Sequence, residues 1–201
     1  RLPDPLHRRP DGAELGAAFL AVSVVPTDVG ALRDVTAWRR ATLVHLLAAD
    51  DLAFVSVWSP TFFTGLLDAA REVWAELAPD VARRAGPARA SLVAEALRHE
   101  TADWRSVWPR LDCVSAWTDA ASALPARRLA ALLPHAWLQG KGLLATEGVM
   151  TVPLVDAAHP VPALTSAFIE LVEDGPPGAR GVSRLLHEAE PGGLYRVLLT
   201  P

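Results

Sequence analysis

Residues 52–77 read LAFVSVWSPTFFTGLLDAAREVWAEL. Leu52 to Trp58 is a short apolar run of the length of a buried strand. Ser59 then stands where a helix cap belongs, and Pro60 fits a first helical position, where its missing N–H leaves no bond unmade. Phe62, Phe63, Leu66, Leu67, Ala70, Val73, Trp74 and Leu77 recur at three- and four-residue steps, which predicts one continuous apolar helix face.

Working outward, similar units lie on both sides. Upstream, Phe19–Val25 reads as a strand. A helix follows, capped by Asp34 or Thr36, with Leu43, Leu46 and Leu47 on one face. Downstream, a helix is expected over Ala90–His99, a buried strand over Leu111–Trp117 and a helix over Ser122–Leu133. Short strands are expected at His135–Leu138 and Leu143–Ala145, and further ones at Val149–Leu154, Leu164–Glu173 and Leu194–Leu199. The opening RLPDPLHRRPDG and the segment DGPPGARG read as loops. Strand–helix–strand order predicts an α/β fold: a partly parallel sheet with right-handed crossover helices, extended by antiparallel or mixed strands.

The bulk composition excludes several functions. A chain of 201 residues, 51% hydrophobic and 21% charged, can bury a sizeable core. A net charge of −4 offers no basic field for nucleic acid or an anionic membrane. No apolar run reaches the roughly 20 residues of a membrane span, and no signal segment is visible. Cys113 is the sole cysteine, so a disulfide framework and a cysteine zinc site are excluded and cytoplasmic residence is expected. The six histidines show no pair at metal-binding spacing. The chain begins with Arg1 and reads as a fragment of a longer protein; Lys141 is its sole lysine amid many Arg and Ala, a bias of GC-rich coding.

Gly142–Leu154, GLLATEGVMTVPL, is apolar except at Thr146 and Glu147. A carboxylate is a hard oxygen ligand suited to Mg²⁺, and a hydroxyl can bond a phosphate oxygen. A polar turn, with Gly148 supplying an unusual backbone angle, is the plainer reading. In open α/β sheets ligands bind beyond the carboxyl ends of the strands. Three loops are expected there: Trp58–Ser59–Pro60, Thr118–Asp119–Ala120 and Thr146–Glu147–Gly148. Lys141 lies between two glycines without the pattern of a phosphate loop, so a solvated turn is expected. Glu170, in SAFIELVE, alternates onto a solvent face. The seven tryptophans are expected to be mostly core or partly buried.

In order, FVSVWSPTFFTGLLDAA, WRSVWPRLDCVSAWTD, KGLLATEGVMTVPL, SAFIELVE and LLHEAEPGGLYRVLLT resemble segments of the Gretchen Hagen (auxin-responsive promoter) family of acyl acid–amido synthetases, in its bacterial branch. That family belongs to the firefly-luciferase-like acyl-adenylating superfamily. The resemblance runs from about Val25 to Thr200. It implies ATP and Mg²⁺ as cofactors, activation of a carboxylic acid as its acyl-adenylate, and amide formation with an amino acid or amine. It also implies a segment of a larger adenylating domain: opening loop and strand over 1–35, α/β core over 36–148, strand-rich extension over 149–201.

By resemblance, LLATEG is the second nucleotide motif. Glu147 is then the Mg²⁺ ligand, Glu147 and Thr146 are the catalytic pair, and Thr146, Glu147 and Gly148 are nucleotide contacts. Thr118 and Asp119 fall on the adenine-side loop, although WTDAAS lacks the usual glycines. Val149 and Met150 would touch the acyl group, and Glu170 matches a family segment that usually reads Phe-Glu-Phe. The family's Ser/Thr/Gly-rich phosphate loop, its ribose motif and its carboxy-terminal domain with the catalytic lysine have no counterpart in these residues, so Lys141 is not expected to be that lysine. Two other readings stay open: a non-catalytic α/β binding module derived from this fold, and an adenylating enzyme that makes a thioester.

Overall fold

The computed structural model describes residues 16–17, 20–99, 101–155, 157, 159–173 and 181–200. Three strands, β1 (Phe54–Ser56), β2 (Cys113–Ala116) and β3 (Trp137–Gly140), form a sheet in that order, and both pairs are parallel. The predicted α/β architecture with a parallel sheet is therefore present. The register sets Val55 opposite Val114 and Val114 opposite Leu138.

β2 is central and buried along nearly its whole length, as a largely apolar strand requires, with Ser115 the one buried polar side chain in it. β1 is an edge. Val55 is buried, whereas Phe54 on the other face is 53% exposed, so the expected fully buried strand is only half covered.

The helices cover this sheet. α1 (Val35–Ala48) starts at Asp34, whose carboxylate accepts from Ala37 N–H at 2.7 Å. α2 (Pro60–Glu72) starts at Pro60 as expected, but Ser59 makes no cap bond and meets the Thr61 hydroxyl instead, at 2.6 Å.

The predicted continuous helix breaks at Val73, which leaves helical geometry with φ −107° and ψ 16°. The Val73 carbonyl then accepts from Glu76 and Leu77 N–H and begins α3 (Trp74–Ala85). The break lets each half keep its apolar face while aiming at a different neighbour. Asp68 of α2 reaches Arg128 of the later helix α6 (Ala123–Leu132), and Asp80 of α3 reaches Arg40 of α1 at 2.7 Å.

Pro79 lies inside α3 and ends nothing. The true boundary is Gly86, at φ +87°, a conformation that suits glycine. α4 (Pro87–Arg98) therefore begins earlier than the expected Ala90, with Pro87 in its first turn. A short helix not anticipated from the sequence, α5 (Trp104–Val107), is capped by the Asp103 side chain.

The core lies between these helices and one face of the sheet. Trp108 is 1% exposed and stacks on Trp104 at 5.1 Å, and its Nε1–H donates to the Leu46 carbonyl at 2.9 Å. Arg89 is desolvated, which lowers its affinity for its proton. Its guanidinium donates to the carbonyls of Leu47 (2.8 Å), Ala49 (2.6 Å) and Val107 (2.7 Å). It thereby satisfies acceptors at the end of α1 that no helical N–H can reach.

Other sequence expectations shift. Leu20 and Ala21 are helical, so no strand runs through the described part of Phe19–Val25; Phe19 itself lies outside the described residues. The expected strand over Val149–Leu154 is split between two hairpins: β4 (Leu144–Ala145) with β5 (Gly148–Val149), and β6 (Thr151–Val152) with β7 (Val161–Pro162). The closing strands β8 (Phe168–Glu173), β9 (Ser183–Leu185) and β10 (Tyr195–Thr200) form a separate antiparallel sheet with β8 in the middle. The opening loop and nearly all of DGPPGARG lie outside the described residues. No helix among the described residues is long and apolar enough to cross a membrane.

Two half-buried histidines make stability depend on pH. Burial pushes His45 below its ordinary value, and Arg84 adds to this while Asp28 and the Val24 backbone oppose it. Burial likewise lowers His135. The Trp108 backbone opposes that shift, Arg105 adds to it and Asp103 opposes it. Both rings therefore take up a proton less readily in the fold than in the unfolded chain, whose histidines protonate near pH 6.5. Their contribution is complete above that pH and is lost as pH falls below it, toward the lower folded values. Thermal unfolding should give a lower midpoint at pH 5.5 than at pH 7.5, with a smaller difference in His135→Gln. A midpoint flat across that window would contradict this.

Candidate functional site

The carboxyl ends of β1, β2 and β3 converge on one edge of the parallel sheet. Three backbone bonds hold them in step: Val57 N–H to Ser115 O, Trp117 N–H to Trp58 O and Lys141 N–H to Ala116 O, each 2.9 Å. The residues that emerge are Ser56 and Trp58, then Trp117, Thr118 and Asp119, then Lys141.

Their side chains meet. The Lys141 ammonium donates to Ser56 Oγ at 2.9 Å and lies 5.4 Å from the Trp58 ring centre, within cation–π range. Trp58 and Trp117 face each other at 5.4 Å with their planes 45° apart, and they stay 58% and 40% exposed. The Thr118 hydroxyl lies 3.4 Å from the Asp119 carboxylate. A cleft of about 990 Å³ along the outer edge of β1 has Thr42, His45, Phe62 and Ser56 in its walls.

Lys141 corrects the sequence reading. It is half-buried, not a solvated turn, and burial lowers its affinity for its proton. The glycines beside it serve close packing. A Cβ on Gly140 would sit 2.6 Å from Thr118 Oγ1, and one on Gly142 would overlap the Thr151 carbonyl.

Thr146 and Glu147 form the two-residue turn of the β4–β5 hairpin, and both side chains are exposed. The plainer expectation of a turn is right about the backbone, but Gly148 has no positive φ. Gly148 instead packs under β10, where a Cβ would approach Leu199 Cδ2 at 3.2 Å. The hairpin is tied at its base by Leu143 N–H to Thr151 Oγ1 at 2.7 Å and Met150 N–H to Leu143 O at 2.9 Å. Val149 belongs to β5, and its carbonyl accepts from the Ser166 hydroxyl. The Met150 carbonyl accepts from Ala163 N–H at 2.9 Å.

The expected site residues thus fall into two groups. Thr118 and Asp119 stand at the sheet edge beside Lys141. Thr146, Glu147, Gly148, Val149 and Met150 belong to the hairpin that follows, which is not paired with the parallel sheet. No hydrogen bond or ion pair joins the two groups among the described residues. Glu170 lies in β8 and accepts from the Ser183 hydroxyl at 2.9 Å, a cross-strand bond within that sheet.

The sequence reading missed Ser56, Trp58, Trp117 and Lys141 as a group. The signal that could have found them was three strand ends carrying a sole lysine and two tryptophans.

Among the described residues no three His, Cys, Asp or Glu side chains cluster as a self-contained metal site. Glu147 makes no ion pair there, so its carboxylate is open to solvent. One free carboxylate fits Mg²⁺, which keeps waters and takes one or two carboxylates plus substrate phosphates.

Comparison with solved structures places this architecture. The chain resembles a structure described as "GH3.15 acyl acid amido synthetase", with TM-score 0.72 and 18% identity, over 91% of this chain and 38% of that one. It also resembles "AtGH3.15 acyl acid amido synthetase in complex with 2,4-DB", with TM-score 0.66 and 17% identity, over 81% of this chain and 32% of that one. At such identity the likeness is one of fold, and the chain spans under two fifths of either neighbour's length. No protein-family model matches the chain, and no curated protein does.

Proposed function

We propose that this chain is a segment of the adenylating domain of an ATP-dependent acyl acid–amido synthetase, of the bacterial branch that its sequence segments resemble, with cytoplasmic residence. The observation that carries the reading is the fold likeness over 91% of the chain. The family-like segment LLATEG supports it by lying on an exposed hairpin turn with a free carboxylate.

In the first step a carboxylate oxygen of the acid attacks the α-phosphorus of ATP. The bond to the β-phosphate oxygen breaks, and pyrophosphate leaves. In the second, an amine nitrogen attacks the acyl carbon, AMP leaves, and the nitrogen gives up one proton. Bound Mg²⁺ would neutralise charge on the departing pyrophosphate. Glu147 would hold that ion, and the Thr146 hydroxyl and Gly148 backbone would contact phosphate oxygens. Thr118 and Asp119 would flank the adenine, and Val149 and Met150 would border the acyl group. The rest of the nucleotide site would come from the remainder of the domain.

The full-length protein, given MgATP, a panel of carboxylic acids and a mixture of amino acids, should release AMP in an acid-dependent way and form an amide detectable by mass spectrometry. AMP release that no acid stimulates would contradict the reading.

A further inference from the structure

Lys141 is the sole lysine of the chain, and it stands where the three parallel strands end. Burial penalises its charged form, and no acidic side chain among the described residues forms an ion pair with it. Ser56 takes one of its three N–H donors at 2.9 Å, and the Trp58 ring adds a cation–π contact at 5.4 Å. Two donors remain for an acceptor outside the chain.

The surroundings describe that acceptor. Trp58 and Trp117 expose apolar ring surface next to the ammonium. Gly140 lets Thr118 Oγ1 close against β3, which brings a hydroxyl to the same edge. A cation with spare donors beside two exposed aromatic rings suits an anion carried on a flat, apolar body.

We propose that Lys141, framed by Ser56, Trp58 and Trp117, is the anion anchor of the strand-end site, and that it binds the oxyanion of a planar organic ligand, a carboxylate or a phosphate monoester, whose flat part lies against the two tryptophan rings. This adds a ligand contact to the site proposed above and rests on that reading only for the reaction it serves. The chemistry of recognition follows from the side chains themselves. Lys141 gains its missing counter-charge, and the rings lose apolar surface to water.

Calorimetric titration of the full-length protein with benzoate, AMP and acetate tests this, in the wild type and in Lys141→Met, Lys141→Arg and Trp58→Leu. At least one of benzoate and AMP should bind more tightly than acetate. Lys141→Met should weaken that binding by about tenfold or more, as expected for loss of a charge-assisted hydrogen bond. Lys141→Arg should retain most of it, which also shows that position 141 tolerates change without unfolding. Trp58→Leu should narrow the advantage over acetate.

Sensitivity confined to benzoate assigns the anchor to a carboxylate, and sensitivity confined to AMP assigns it to a phosphate. Binding of neither planar anion, or equal affinity in Lys141→Met, overturns the proposal. The adenylation reading fails separately. Lys141-dependent binding without acid-stimulated AMP release leaves the anchor standing alone, whereas acid-stimulated release with unaltered binding in Lys141→Met removes only the anchor.

Discussion

Trp108→Ala should lower unfolding free energy by about 3–5 kcal/mol, the range for a large aromatic deleted from a packed core. Trp108 is 1% exposed and lies between Trp104 at 5.1 Å and Phe63 at 6.2 Å. Truncation removes both ring contacts and leaves a cavity that three surrounding helices cannot close without moving. It also removes the Nε1–H that donates to the Leu46 carbonyl at 2.9 Å. That carbonyl lies in the last turn of α1, where no helical N–H takes its place. Urea unfolding measures the loss directly. Trp137→Ala is the internal comparison: Trp137 is 50% exposed, and its removal should cost clearly less, about 1–2 kcal/mol. Equal losses at the two positions would contradict the packing described here.

The sequence revealed most where one physical factor dominates. β2 is buried along nearly its whole length, so its span is mostly apolar, with Ser115 the buried polar exception, and it stands inside the stretch that pattern predicts. The α2 start was equally plain, because Pro60 has few other places to sit next to a helix.

What failed was set by distant contacts. The apolar periodicity across Val73 is real, yet the chain turns there because α2 packs toward α6 and α3 toward α1 and α4. Pro79 is tolerated inside α3, since a helix can forgo one hydrogen bond when its neighbours pack well. The strand expected from Phe19 rested on apolar content alone, and Leu20 and Val22 turn out to be exposed.

Lys141 was misread for a related reason. Glycines on both sides suggested a solvated turn, whereas Thr118 and Thr151 press against the backbone there. Composition could not separate the two uses of glycine. Thr146 and Glu147 were visible as a polar break in an apolar segment, and the structure puts that break at the tip of a hairpin.

Acid-dependent ATP–pyrophosphate exchange on the full-length protein, wild type beside Glu147→Ala, tests the central claim most directly. Glu147 is exposed and makes no ion pair among the described residues, so its removal should leave stability nearly unchanged. If it holds Mg²⁺ as proposed, as the sole carboxylate of the hairpin, its loss should reduce exchange on the order of 100-fold. Exchange stimulated by at least one acid, and reduced on that scale in Glu147→Ala with folding intact, is the result expected. Exchange undiminished in the variant would reduce Thr146–Glu147 to a solvated turn, and no exchange with any acid would contradict adenylation itself.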